Sequence, residues 1–526
     1  MTQRTKTVLI IAAAVLCLII AVVLCISIFG NTAPASQEQE SGDDTMKHLK
    51  MVVNLADCSN LIHKEIYGQF IEHAVRIIND GLFVGKDSPI PNHNGVRLDI
   101  IEGYKEIGVP MLHWPGGAEA ELYHWRYGIG SNRKSTVNAW TGRKYSNDFG
   151  THEFLDLCEE LQCEPYIVFN VNTGTAQEAA DWIEYITSDK DTEMTRLRRA
   201  NGRDKPWTLN FTCMGNEWWG YEDAAAFAKH FKEYNSYALR NCPTNPLRFL
   251  RGPQHFLLSY TEDLISQVEP GSFDALTLYL MVTSSDTPEE FTDDEYYLAF
   301  KNTLQLDEYM TRHLGIVRGR DANAKAQLVI DEWGVYYPTE DLADDHWYVE
   351  TTQRDALIAG VVLNMFNNRC DIVRAACNCM SINALQSVML TQGDKMIKTP
   401  TYYVFKMYRD HQDAHLVSSF VEQEQVGTPN NRIPAISQSV SIKDGKVLMT
   451  LVNCSLDEDY QIDAKILYGA FTQCEGEILQ SDPHRGNHFD DEEKIESVAF
   501  NDFSFTDDGI TVHVPCHSIV SLHLSN

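Results

Sequence analysis

Between residues 64 and 400 one unit recurs: a short β-rich run, then a longer stretch with apolar residues three and four apart. The runs are Glu65–Ile71, Val109–Trp114, Glu164–Asn170, Leu209–Gly215, Leu247–Gly252, Asp274–Met281, Gln327–Asp331 and Asp371–Ala376. Helical patterns such as Glu153–Leu161, Asp223–Leu239, Tyr296–Leu314 and Thr352–Phe366 lie between them. A strand followed by a helix returns the chain to a parallel neighbour, so eight such units predict a (β/α)8 TIM barrel of the α/β class. A doubly wound sheet calls for a Gly-rich phosphate turn after its first strand, and none follows Ile71.

From 401 onward the period shortens. Segments such as Gln438–Ile442, Lys446–Leu451, Tyr460–Ile466, Ile510–Val514 and Ser518–Leu524 alternate in polarity between turn and acidic clusters, which predicts a C-terminal, jelly-roll-like β-sandwich over 401–526. The stretch 48–63 is also β-like and is expected to join that sandwich, since chain ends often lie close together.

Ahead of these domains, Arg4 and Lys6 precede an uncharged run from Val8 to Phe29, long enough to cross a bilayer core of roughly 30 Å as a helix. Residues 1–7 are then cytoplasmic, 8–29 form a transmembrane signal anchor, and 30–47 are a polar tether too poor in apolar groups to order itself. The expected location is extracytoplasmic and membrane-anchored. The alternative is secretion after cleavage at Ala35, because Ala33-Pro34-Ala35 has the form of a cleavage site. Cys17 and Cys25 each follow Leu and lack the small residue that precedes a lipidated cysteine.

Charge narrows the partners. With 43 Lys+Arg against 74 Asp+Glu the net charge is −31, which repels nucleic acid and anionic headgroups but not a neutral sugar. Of 13 cysteines, those beyond the apolar run are odd in number and scattered, as buried thiols would be. Cys377 and Cys379 form a C-x-C pair with no His or Cys cluster to complete a zinc set, so no metal is expected.

In a (β/α)8 enzyme the chemistry sits where strands end. The fourth predicted strand ends in Asn216-Glu217-Trp218-Trp219 and the seventh in Asp331-Glu332-Trp333-Gly334. Glycosidic cleavage needs one carboxylic acid to protonate the leaving oxygen and one carboxylate to attack the oxocarbenium-like centre, and Glu217 and Glu332 can face each other across a sugar ring. Trp125, Trp140, Trp218 and Trp333 are candidate sugar platforms or core residues, and His73 is a candidate to orient Glu72.

The stretches IYGQFIEH at 66–73, WPGG at 114–117, YHWRYGIG at 123–130, FGTHEF at 149–154, EPYIVFNVNTGT at 164–175, MGNEWWG at 214–220, DEWGVYY at 331–337 and LTQGDKMIKTPTYYVFKMYRDHQDA at 390–414 resemble glycoside hydrolase family 51, the α-L-arabinofuranosidases. The resemblance implies a retaining mechanism with Glu217 as acid/base and Glu332 as nucleophile. It further implies that Glu72, Asn216 and Gln386 bind the furanose, and Trp333 is expected beside them. The implied substrate is an arabinose-containing glycan, and no cofactor is needed when two carboxyl groups perform a double displacement. A homo-oligomer is compatible with the sequence.

The departures from the family lie around the sugar pocket. Members usually carry Arg before WPGG, where this chain has His113, and Asn or Cys after it, where this chain has Ala118. On strand six they usually show His and aromatic residues, where this chain reads Tyr279-Leu280-Met281. The expectation is that the cation and the aromatic hydroxyl that assist the nucleophile are replaced or lost. A non-hydrolytic glycan-binding protein, or a hydrolase for another furanose-type sugar, therefore stay open as alternatives. Retention of both Glu217 and Glu332 argues against the first.

Overall fold

The structure is a computed structural model describing residues 46–137, 142, 144–217, 222–239, 242–284, 287–320, 325–337 and 347–526. The predicted anchor 8–29, most of the tether, Trp140 and Trp218 lie outside the described residues. Among the described residues no helix is long and apolar enough to cross a membrane.

Eight parallel strands close into a barrel. They are β1 Gly68–Phe70, β2 Met111–Trp114, β3 Glu164–Phe169, β4 Phe211–Met214, β5 Leu247–Leu250, β6 Ala275–Thr283, β7 Gln327–Tyr336 and β8 Val373–Asn378. Each falls in one of the eight predicted runs or overlaps it. The run Tyr166-Ile167-Val168-Phe169 shows why: it is buried on both sides, as a strand covered by helices must be. The helices between strands are stopped and started by local chemistry. Thr175 caps Ala176–Thr187 by accepting from Glu178 N, and Asp223 caps Ala224–Tyr237 by accepting from Ala226 N.

The last barrel helix, Pro400–Tyr408, starts with Thr399 as its cap and Pro400 in its first turn. It packs on Leu98–Ile107 and Gln353–Asn368, so the barrel runs past the change in sequence character at 401. The C-terminal domain holds a five-stranded and a seven-stranded sheet. Strand Lys47–Asn54 joins the first of these, parallel to Tyr460–Leu467 and antiparallel to Ser418–Val421. Along Tyr460–Leu467 the residues Tyr460, Ile462, Ala464 and Ile466 are buried in strict alternation, which fixes the register against the core.

Candidate active site

Strand β7 carries the decisive irregularity. Its register against β6 pairs Leu278 with Ile330 and then Tyr279 with Glu332, leaving Asp331 as an extra residue. A bulge of this kind breaks the two-residue alternation, so Asp331 and Glu332 both face the barrel interior. Asp331 accepts from Tyr166 Oη, across the barrel, at 2.5 Å and from Tyr279 Oη at 3.4 Å. Glu332 accepts from Asn216 Nδ2 at 3.3 Å and from the Cys379 thiol at 3.4 Å.

The WPGG loop after β2 closes the site from the other side. A Cβ on Gly117 would lie 2.9 Å from Glu332 Oε1 and 3.0 Å from Glu217 Oε2. These two oxygens are therefore no more than twice that distance apart, below the roughly 6.5–9.5 Å that an inverting enzyme leaves for water. The loop backbone supplies donors where the family's side chain is missing: Glu119 N and Gly117 N bond Glu72, and Ala118 N bonds Glu217.

Glu217 is held by its approach. Gly215 stands at φ 87° and Glu217 itself at φ 25°, a conformation a non-glycine residue keeps only when its surroundings impose it. Glu121 imposes much of it. Its buried carboxylate accepts from Asn216 N at 2.7 Å, Asn172 N at 3.1 Å and Val171 N at 3.2 Å, tying the ends of β3 and β4 together. Arg251 lies 3.6 Å away as its counter-charge.

Electrostatically this is a crowded acid cluster. Burial, then the Glu217 and Glu72 charges, push the Glu332 carboxyl up, against the Asn216 bond. Burial pushes Glu217 up to about 7 and Glu119 up to about 8. Burial, then Glu119 and Glu217, push Glu72 well up. Two unit charges about 6 Å apart repel by roughly 3 kcal/mol at an effective dielectric near 20. Among the described residues no cation pairs with Glu72, Glu217 or Glu332, so each of these carboxyls is harder to ionise than one in water.

Glu72, Asn216, Glu217 and Glu332 are thus brought together as the sequence predicts. Among the described residues Asn216 Oδ1 is buried without a hydrogen-bond partner, an acceptor left for a ligand. Gln386 is engaged by the scaffold: its Oε1 accepts from Val335 N at 2.9 Å and its Nε2 donates to Asp355 O at 2.6 Å, leaving one amide hydrogen for a sugar.

Trp333 corrects the sequence reading. It is fully buried on the outside of the barrel, stacked on Phe405 at 6.0 Å and edge-on to Phe366 at 5.8 Å, and cannot touch substrate. The bulge turns Glu332 inward and its neighbour outward. Trp125 is core as well, stacked on Trp182 at 6.2 Å. His73 accepts from Trp114 Nε1 at 3.2 Å and stacks on Tyr123, so it fixes the Trp114 side chain rather than the Glu72 carboxyl.

His113 is also not beside the nucleophile in the way expected. It stacks on Phe70 at 4.4 Å and meets Tyr166 edge-on at 4.6 Å, with Asp331 at 4.0 Å. Burial lowers its pKa to about 3, so it is neutral. The aromatic hydroxyl is not lost but moved: Tyr279 Oη accepts from Glu217 N at 3.2 Å while donating to Asp331. Met281 lines the cleft, whereas Leu280 is buried in the apolar core.

Sequence reasoning missed Asp331, Tyr279, Glu121, Cys379 and the role of Gly117. Adjacent acids at a strand end, where alternation admits only one, were the signal for Asp331.

The carboxylates open into a cleft of about 640 Å3 lined by Met281, Tyr336, Trp347 and Met380 among others. A larger hollow of about 760 Å3 near Arg133 and Arg203 lies elsewhere, and its charges are already paired as Arg133–Glu153 and Arg203–Glu159. A closed parallel barrel with two carboxylates this close, one just past β4 and one at the bulge within β7, defines a retaining glycoside hydrolase.

Known proteins narrow the class. Residues 331–518 match the family model of the α-L-arabinofuranosidase C-terminal domain and residues 104–247 that of the α-L-arabinofuranosidase 1 domain. An intracellular exo-α-L-arabinofuranosidase of Bacteroides ovatus is 37% identical, covering 91% of this chain and 96% of its own. The crystal structure of the GH51 arabinofuranosidase from Xanthomonas axonopodis pv. citri superposes with a TM-score of 0.88 at 31% identity, over 91% of this chain and all of that one. The arabinose complex of the Thermotoga maritima α-L-arabinofuranosidase gives 0.78 at 25% identity, over 90% and 99%. The chain belongs to glycoside hydrolase family 51, the α-L-arabinofuranosidases, retaining enzymes that release terminal arabinofuranosyl groups.

Proposed function

We propose that Glu332 is the nucleophile and Glu217 the acid/base of this arabinofuranosidase, with Glu72 and Asn216 holding the furanose. The observation that carries this reading is the convergence of both carboxylates on the space beside Gly117. Glu332 attacks the anomeric carbon as Glu217 gives its proton to the departing oxygen, leaving a glycosyl ester and a Glu217 carboxylate. Glu217 then takes a proton from water, whose oxygen displaces Glu332 and releases the sugar with retained configuration. Asn216 Nδ2 and the Cys379 thiol stabilise the Glu332 anion without a cation.

The proton on Glu217 sets the pH dependence. A general acid pushed up to about 7 is protonated below that pH and lost above it, so kcat/KM falls as pH rises through about 7. Wild-type profiles of kcat/KM on an arabinofuranosyl oligosaccharide, whose departing oxygen needs the proton, and on a dinitrophenyl arabinofuranoside, whose leaving group departs without it, check this. The alkaline limb is present on the first substrate and absent on the second. A limb that persists unchanged assigns the proton to another group.

The natural substrate is read as an arabinose-containing glycan met outside the cytoplasm, with the barrel and a jelly-roll-like sandwich tethered through 30–47 to the anchor 8–29. Arg4 and Lys6 before a bilayer-length apolar run support this topology. The Bacteroides ovatus relative is named intracellular, so compartment is worth testing directly. Fractionation should recover the activity with membranes, and protease added to intact cells should destroy it. A mature chain beginning at Ser36 in the medium indicates cleavage instead, and cytoplasmic recovery overturns both versions.

A further inference from the structure

The turn that carries Glu217 away from β4 has a single guanidinium behind it. Arg251, the first residue after β5, is fully buried. Its Nη1 lies 3.6 Å from Glu121 Oε1, and its Nη2 donates to Glu222 Oε2 at 3.2 Å and to Tyr260 Oη at 3.1 Å. The guanidinium carbon sits 3.6 Å from the centroid of the Phe227 ring, on the helix that follows β4. Glu222 directly precedes Asp223, the cap of that helix. Glu121 accepts from Asn216 N, so the residue before Glu217 is tied to Arg251 through Glu121, and Glu222 is tied to it directly. Gly215 lies against the same pair: a Cβ there would stand 2.8 Å from Glu121 Oε1 and 3.6 Å from Arg251 Cδ. Burial pushes the Glu121 carboxyl up to about 7, and Arg251 is the largest influence opposing that rise.

We propose that Arg251 is a positioning residue for the acid/base: by fixing Asn216 through Glu121 and Glu222 directly, it aims the Glu217 carboxyl at the departing oxygen. The inference rests on the assignment of Glu217 above and adds the residue that holds it in place. A planar guanidinium can reach two carboxylates at once, whereas an ammonium is a point charge. Without a cation two buried carboxylates stand uncompensated, and Glu121 takes up a proton more readily. A protonated Glu121 grips the Asn216 N–H less firmly, and the turn before Glu217 loosens. Proton delivery needs hydrogen-bond reach, so a badly aimed acid slows most the substrates whose leaving oxygen must be protonated.

The test measures kcat/KM on methyl α-L-arabinofuranoside, whose departing methoxide needs a proton, and on the dinitrophenyl glycoside, whose leaving group does not. The proteins are wild type, Arg251→Met, Arg251→Lys, Glu222→Gln and Glu217→Ala. Arg251→Met loses about 100-fold on the methyl glycoside and no more than about fivefold on the dinitrophenyl one. Glu222→Gln keeps its shape and shows the same split at about tenfold, and Arg251→Lys regains about tenfold of the loss on the methyl glycoside. Equal losses on the two substrates, or no loss on either, overturn the positioning role while Glu217→Ala still discriminates between them. Thermal denaturation shows whether Arg251→Met is folded, and if it is not, the split in Glu222→Gln decides. Equal losses in Glu217→Ala overturn the acid/base assignment instead.

Discussion

Glu332→Gln lowers kcat by about 10,000-fold or more on every arabinofuranoside, because no other group is placed to form the glycosyl ester. Glu217→Ala behaves differently, and the contrast separates the roles. With a dinitrophenyl leaving group, which departs without protonation, the first step survives and the glycosyl ester accumulates because water lacks its base. Burst kinetics on the quenched enzyme reads that accumulation. Azide then restores turnover to Glu217→Ala and gives a glycosyl azide of retained configuration, since a small anion attacks without base assistance. Proton NMR of the early product is the check on stereochemistry. Inverted product from wild type removes the double displacement, and a burst in Glu332→Gln with none in Glu217→Ala exchanges the two assignments.

The residues of this pair were legible because their signal is topological: a carboxylate at the end of a barrel strand faces the rim whatever surrounds it. The eight strands were legible for a similar reason, since a run such as Tyr166–Phe169 has one way to bury both its faces. Trp333 was misread because its direction depends on a bulge, and one extra residue at Asp331 reverses the side on which every following residue emerges. His113 was misplaced by analogy: its position before WPGG is shared with the family, yet its ring stacks on Phe70 and meets Tyr166 edge-on, 4.0 Å from Asp331. Glu121 could not be weighed from its own neighbourhood, since its carboxylate serves backbone N–H groups 50, 51 and 95 residues further along the chain. Such contacts exist only after folding, and no local pattern announces them.

Gly117 follows from the same geometry and gives the second large effect. Its missing side chain is the space between the two catalytic carboxylates: an added methyl carbon meets Glu332 Oε1 at 2.9 Å, Glu217 Oε2 at 3.0 Å and Asn216 Nδ2 at 3.2 Å. All three atoms belong to the machinery, so something in it must shift if alanine is accommodated there. A displacement of about 1 Å in a catalytic group costs on the order of 100-fold in rate. Gly117→Ala should therefore lose about 100-fold in kcat/KM on aryl and oligosaccharide substrates alike. The methyl group also displaces solvent from the Glu332 carboxylate, which disfavours its ionised form and moves the acid limb of the rate profile to higher pH. Thermal denaturation of the variant tells a misplaced pair from an unfolded chain. If the variant melts near the wild-type temperature and retains wild-type kcat/KM, the carboxylates can spread without penalty and their convergence at Gly117 is not what drives the chemistry.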